Sequence, residues 1–211
     1  MSQILIYSLN IENTHQHRVN VSIKGDWPKN NNYLDFFMPS WSPGSYLMRE
    51  YSRFVRKVKV TNENGEEFYF SQLDKGTWRV EQDKLGLAKG DMFNISYEVY
   101  CHELTVRTSH VDRSHAFIHG PSVFMGVKNF ESHKINLGLN FPKTWTKVST
   151  GLKDISPRRE AFLYEALNYD DFIDCPIEIG NHETDGFILD GKEHELAFFG
   201  HTLPHDNNIK D

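Results

Sequence analysis

Along most of this chain apolar side chains recur at every second position, a spacing that leaves room for little except β-strands. Val19, Val21 and Ile23 alternate with polar neighbours, as do Val58 and Val60, Ile95, Tyr97 and Val99, and Ile135, Leu137 and Leu139. Each run has one face made for a core and one for water. Turn signals fall between the runs at Asp26-Trp27-Pro28, Asn64-Gly65, Lys89-Gly90-Asp91 and Asp190-Gly191. Their spacing predicts an all-β fold, an antiparallel β-sandwich, rather than alternating β and α units. Asn64-Gly65 and Asp190-Gly191 suit type I′ hairpins, whose two central residues both take positive φ. Helix is expected only as one or two short turns. The clearest spans residues 168–174, where Asn168 caps free amides and Pro176 forces Cys175 out of the helical region.

At 211 residues the chain can bury about 70% of its unfolded surface without a covalent staple. No internal repeat or low-complexity stretch marks a boundary, so residues 1–200 read as one β-sandwich domain. The polar segment HTLPHDNNIKD, residues 201–211, reads as a linker toward a further domain. Cys101 and Cys175 stand far apart with no CxxC pairing; two reduced thiols are the simpler reading and a single bridge the other. With 23 basic and 29 acidic residues the formal charge is -6. The basic residues cluster only at Arg49, Arg53, Arg56, Lys57 and Lys59, interleaved with apolar ones as on the solvated face of a strand. Nucleic acid is therefore not an expected partner. The opening MSQILIYSLNIEN lacks a basic n-region, and no apolar run approaches the ~20 residues of a membrane span. A cytoplasmic protein with no membrane contact is expected.

The most unusual stretch is Trp41-Ser42-Pro43-Gly44-Ser45-Tyr46. Proline presets φ at the second position of a type II turn and glycine accepts the positive φ at the third, so the turn throws the two flanking rings in defined directions. The rings either plug the end of a sandwich or line a binding cleft.

Metal and nucleophile chemistry find little anchor. A zinc peptidase needs HExxH on a helix, two imidazoles on one face with a glutamate to activate the water. His102-Glu103-Leu104-Thr105-Val106 and His194-Glu195-Leu196-Ala197-Phe198 each lack the second histidine and lie in strand-like surroundings. His110, His115 and His119, with Asp112 among them, supply ligand types, but in an extended strand His115 and His119 would stand about 13 Å apart. No metal or other cofactor is therefore expected on this chain, although a tight bend would alter that geometry. There is no GxSxG elbow, no phosphate loop and no cysteine beside an activating group. Asp170-Asp171 reads as a helix start and Glu66-Glu67 as a solvated hairpin face.

Four segments in order resemble the N-terminal domain of the glycyl aminopeptidase family, zinc metallopeptidases that commonly carry a PDZ domain. They are MPSWSPGSYLMREYSRFV (Met38 to Val55), with its Arg-acidic-aromatic triplet after the turn, DKGTWRV (Asp74 to Val80), YEVYCHELTVRTSHVDRSHAFIHGPSVFM (Tyr97 to Met125) and YDDFIDCPIEIG (Tyr169 to Gly180). In the last, Cys175 stands where a small serine-like residue is common. The resemblance implies a hydrolase whose HExxH and zinc lie in a catalytic domain beyond Asp211, so that this chain carries no catalytic residue and is inactive alone. It also implies that the β domain covers or braces one side of the cleft. By position, His119, Gly120, Pro121 and Ser122 match the loop that in related enzymes helps hold the substrate's free amine, with Trp41, Tyr46 and Arg49 the next candidates. The implied partners are peptide substrates with N-terminal glycine or alanine and the chain's own catalytic domain. Apolar surface made for that domain would favour self-association of the piece alone. Two other readings stand beside this one. One is a free-standing sandwich that binds peptide or carbohydrate through Trp41 and Tyr46, and the other a metalloenzyme built on the His110 to His119 cluster.

Overall fold

The alternating runs form strands where their spacing places them. The structure, a computed structural model, describes residues 4–42, 44–62, 64–85, 90–158 and 161–200. Pro43, Lys89 and the expected linker 201–211 lie outside the described residues. In chain order the elements are β1 (Ile4–Asn10), β2 (Arg18–Asp26), β3 (Tyr33–Phe37), β4 (Val55–Thr61), β5 (Glu67–Phe68), β6 (Ser71–Asp74) and β7 (Thr77–Glu81). There follow α1 (Gln82–Leu85), β8 (Met92–Tyr100), β9 (His110–Val111), β10 (Ala116–Ile118), α2 (Gly120–Val123), β11 (Gly126–Val127) and β12 (Lys134–Asn140). The last are β13 (Lys147–Thr150), β14 (Lys153–Asp154), β15 (Phe162–Ala166), α3 (Tyr169–Asp174), β16 (Ile177–Gly180), β17 (Glu183–Leu189) and β18 (Lys192–Phe198). Short 3-10 turns cover Thr14–Gln16 and Tyr51–Phe54.

An eight-stranded sheet, in the order β14-β15-β12-β1-β2-β8-β4-β5, forms one layer. Two four-stranded sheets, β13-β16-β10-β9 and β11-β3-β7-β6, make up the other strand groups of the sandwich, and β17 and β18 form a separate hairpin. Val19, Val21, Ile23, Ile95, Tyr97, Val99, Ile135 and Leu137 are buried on the inner face of the large sheet. Aromatic contacts cross between sheets, as where Phe93 of β8 meets Phe36 of β3 edge-on with ring centroids 5.6 Å apart. Both cysteines are free thiols, Cys101 buried and Cys175 half-buried. No helix among the described residues is long and apolar enough to cross a membrane.

Two local expectations are refined. The sandwich is antiparallel except at its middle, where β1 and β12 run parallel from Ile4↔Lys134 to Asn10↔Asn140. A parallel pair needs a long crossover, and the more than one hundred intervening residues contain most of the fold. The Asp190-Gly191 hairpin has both residues at positive φ and closes on the Leu189↔Lys192 pair, as a type I′ turn should. Asn64-Gly65 belongs to a wider loop: the amide of Gly65 donates to Asn62 O, and the amide of Asn62 to Glu66 O. Gly65 alone is at the left-handed position, and Asn62 Oδ1 accepts from the amides of Asn64 and Glu66. Helix α3 starts as read, with Asn168 Oδ1 accepting the amide of Asp171 at 2.8 Å and Cys175 extended beyond its end.

The segment Val123 to Met125 passes through the interior without a strand partner of its own, and three phenols satisfy it. Tyr97 Oη donates to Val123 O (3.0 Å) and accepts the Met125 amide (2.8 Å). Tyr169 Oη donates to Phe124 O (2.8 Å), and Tyr7 Oη to Met125 O (2.7 Å). Replacing Tyr97 by Phe leaves a buried amide and a buried carbonyl without that partner. Such orphans cost about 1–3 kcal/mol, so Tyr97→Phe should lower unfolding free energy by about that much in urea with the slope unchanged. Tyr100→Phe, at the exposed end of the same strand, should stay within about 0.5 kcal/mol of the parent.

Candidate functional site

At one end of the sandwich three loops converge on the phenol of Tyr51, whose residue is 0% exposed. Its hydroxyl donates to Arg107 O at 3.0 Å and lies 3.3 Å from Ser42 Oγ and 3.5 Å from His119 Nε2. One side chain thus joins the loop after β3, the loop between β8 and β9, and the segment entering α2.

The first loop owes its shape to local hydrogen bonds. Ser45 N donates to Ser42 O at 3.1 Å, with Gly44 at φ +76 in the third turn position, the arrangement expected of a type II turn. The base is closed by Arg49 N donating to Ser40 O at 2.7 Å, and the indole of Trp41 donates to Ser45 O. Ser42 and Ser45 are buried while Trp41 is half exposed and Tyr46, Leu47 and Met48 stand out in solvent. The aromatic loop therefore plugs nothing at its tip. DKGTWRV supports it from below. Asp74 Oδ1 accepts the Gly76 amide, Gly76 O accepts the Met38 amide, and Lys75 pairs with Glu50 at 3.0 Å. Further along, Arg79 grips Asp35 with two bonds of 2.7 and 2.8 Å. A shallow hollow of about 620 Å³ lies between loop and support, walled by Met38, Trp41, Met48, Glu50, Lys75 and Gly76.

The second loop exposes Leu104 and Val106 beside the first, and an ion pair between Arg53 and Glu103 (3.6 Å) links its start to the Tyr51 turn. His102 and its neighbours form an isolated bridge to His110, and residues 194–198 lie in β18. Neither HExx sequence is on a helix.

The third segment is packed inward. Gly120, Pro121 and Ser122 are all buried, and only His119 is partly open. A Cβ on Gly120 would sit 2.4 Å from Ile173 O, so glycine is required by the backbone of α3. Ser109 Oγ accepts the His119 amide and lies 2.7 Å from Ser122 Oγ, which donates to His119 O. The hydroxyls are thus spent on the backbone, and the imidazole faces Tyr51 rather than a serine, so Ser109 and Ser122 form no Ser–His pair with His119. Arg49 is half-buried, with Nε lacking a hydrogen-bond partner among the described residues. Burial, reinforced by the Arg49 charge and opposed by Asp174, pushes the His119 imidazole down to about 4.

The structure therefore brings Trp41, Tyr46, Arg49 and His119 to one end and leaves Gly120 to Ser122 beneath them. Tyr51, the residue that joins the loops, was in plain view as the aromatic of the Arg-acidic-aromatic triplet. His119 parts from His110 and His115, whereas a tight turn gathers His110, Asp112 and His115, with ligand atoms all within 4.8 Å of one another.

The profile of the family described as the peptidase M61 N-terminal domain matches residues 6–181. The chain belongs to that family. As an M61 N-terminal domain it superposes on an aminopeptidase N family protein from Idiomarina loihiensis with a TM-score of 0.85 and 27% identity, over 98% of this chain and 34% of that one. An M1 zinc metallopeptidase from Deinococcus radiodurans, a mutant bound to a Tyr-Ser-Ala substrate, shares the fold at TM-score 0.53 and 8% identity, over 99% of this chain and 51% of that one. The M61 domain described here thus spans a third to a half of the length of these relatives. No curated protein sequence matches it significantly.

Because the folded His119 has a lowered pKa, the unfolded chain takes up this proton first as pH falls. The stability this group contributes is present above the ordinary value near 6.5 and is lost as pH falls from there toward 4. Ring resonances of His119 should titrate near 4, and Arg49→Met should move the midpoint upward while leaving the burial effect. A midpoint near 6.5 in the parent protein would mean that the imidazole is solvated.

Proposed function

We propose that this M61 domain is the non-catalytic β domain of a cytoplasmic zinc aminopeptidase that removes glycine or alanine from peptide N-termini, and that its loop end braces one side of the cleft. The observation that carries the reading is the loop end itself. Tyr46, Leu47 and Met48 on the first loop and Leu104 and Val106 on the second are exposed, and the two loops are tied to one another through Tyr51 and stiffened by backbone hydrogen bonds. Rigid loops tipped with large apolar groups are unfavourable in water and suit contact with another domain, since such interfaces bury roughly 600–1,500 Å². Family membership and the greater length of the related aminopeptidase agree with this assignment.

In the intact enzyme the zinc would polarise the scissile carbonyl and activate a water. This domain's own residues do other work. Tyr51 holds the loops in register, His119 stays neutral at pH 7, and Arg49 contributes the positive charge beside it. A free-standing peptide- or carbohydrate-binding module fits less well, because the Trp41 indole N–H is already used inside its own loop.

Reading the coding sequence past Asp211 tests the assignment directly: continuation into HExxH and a downstream glutamate is expected, and a stop codon or a continuation without them would sink it. In the longer protein, glycyl and alanyl anilides should be preferred substrates. Truncating Tyr46 and Met48 to Ser should lower kcat/KM about tenfold, near 1.4 kcal/mol. Unchanged kinetics would remove the loop tip from the cleft.

A further inference from the structure

We propose that His110, Asp112 and His115 bind one divalent transition-metal ion of the zinc type at the β9–β10 turn. The turn makes the site. Val111 pairs with Ala116, and the Asp112 amide donates to His115 O at 3.1 Å, so the chain reverses within four residues. His110 Nε2 stands 3.2 Å from Asp112 Oδ2, close to the ~3.4 Å edge of a tetrahedron with bonds of ~2.1 Å. The remaining separations are at most 4.8 Å and close with a shift of about 1.4 Å or less.

Each ligand is already oriented. Asp112 Oδ1 is occupied by the turn itself, accepting from the Ser114 amide at 2.7 Å, the Ser114 hydroxyl and the His115 amide at 3.2 Å. Oδ2 is thereby fixed toward His110. Glu178 Oε1 lies 2.7 Å from His115 Nδ1. A carboxylate there keeps the proton on Nδ1 and leaves Nε2 with the lone pair a metal needs, the usual support behind a ligating histidine. His110 presents Nε2 to the same point, while its other ring nitrogen, Nδ1, is buried with no partner among the described residues.

Two imidazoles and one carboxylate suit zinc, cobalt or nickel, whereas calcium and magnesium prefer shells of oxygen. Three protein ligands leave one position for water. The ion would also act beyond its own turn, because His115 stacks face to face on Phe199, just beyond β18, with centroids 3.7 Å apart. Metal binding to the folded state would hold that contact and raise the melting temperature.

The test uses the untagged 211-residue chain, stripped with chelator and titrated with Zn2+ by calorimetry and with Co2+ by visible absorption. One ion per chain is expected, with a tetrahedral cobalt spectrum. His110→Gln and Asp112→Asn should each weaken binding at least tenfold, and the exposed His194→Ala should not. Asp112→Asn keeps the Oδ1 acceptor for the turn, so it remains informative if the histidine variant folds poorly. Near-ultraviolet circular dichroism of each metal-free variant checks the fold. Absence of saturable one-to-one binding, or binding that survives both His110→Gln and Asp112→Asn, would overturn the proposal.

Discussion

Three buried tyrosine hydroxyls make the interior of this domain possible. The carbonyls of Val123, Phe124 and Met125 lie where neither water nor a neighbouring strand reaches them, and each accepts one phenol, from Tyr97, Tyr169 and Tyr7. Unpaired, such groups would oppose burial of the apolar residues around them, including Phe124 and Phe172, whose rings pack at 4.5 Å. Burial raises the pKa of all three phenols, so they remain donors throughout the physiological range. The three come from β1, β8 and α3, and the irregular segment thereby links elements far apart in sequence.

That link sets the loop end. Because Val123 to Met125 is pinned, α2 just before it is fixed against α3, where Gly120 meets the backbone of Ile173. His119 then has one place to go, beside Tyr51, and Tyr51 in turn carries the loops of Ser42 and Arg107. Buried polar networks of this kind are stabilising only when every member is satisfied. Here Arg49 is a member left incomplete: its Nε has no partner among the described residues, and its charge lies close enough to depress His119.

The strands were legible because period two is imposed by burial of one face, and Val19, Val21 and Ile23 obey it without exception. The cap at Asn168 was legible because its partners are three residues away. What could not be read is what depends on distant partners. Nothing local to Ile4–Asn10 says that its neighbour is Lys134–Asn140 in parallel. Nothing local to Gly120 says that a Cβ there would meet the carbonyl oxygen of Ile173. The histidines show the same limit. Spacing in an extended chain separates His115 from His119, and the structure does so, yet it is the reversal at Asp112 that decides which imidazoles meet.

The segment from Ser109 to Ser122 thus has opposite chemistry at its β9–β10 turn and where it enters α2. At the β9–β10 turn, carboxylates face imidazoles, with Asp112 against His110 and Glu178 against His115, an acidic arrangement that attracts a cation. At the α2 end a guanidinium faces an imidazole in a partly closed site, which disfavours it. A cation therefore belongs at the turn and a neutral hydrogen-bonding surface at the loop end. Since β10 is only three residues long and pairs with both β9 and β16, a rigid connector keeps those two environments apart.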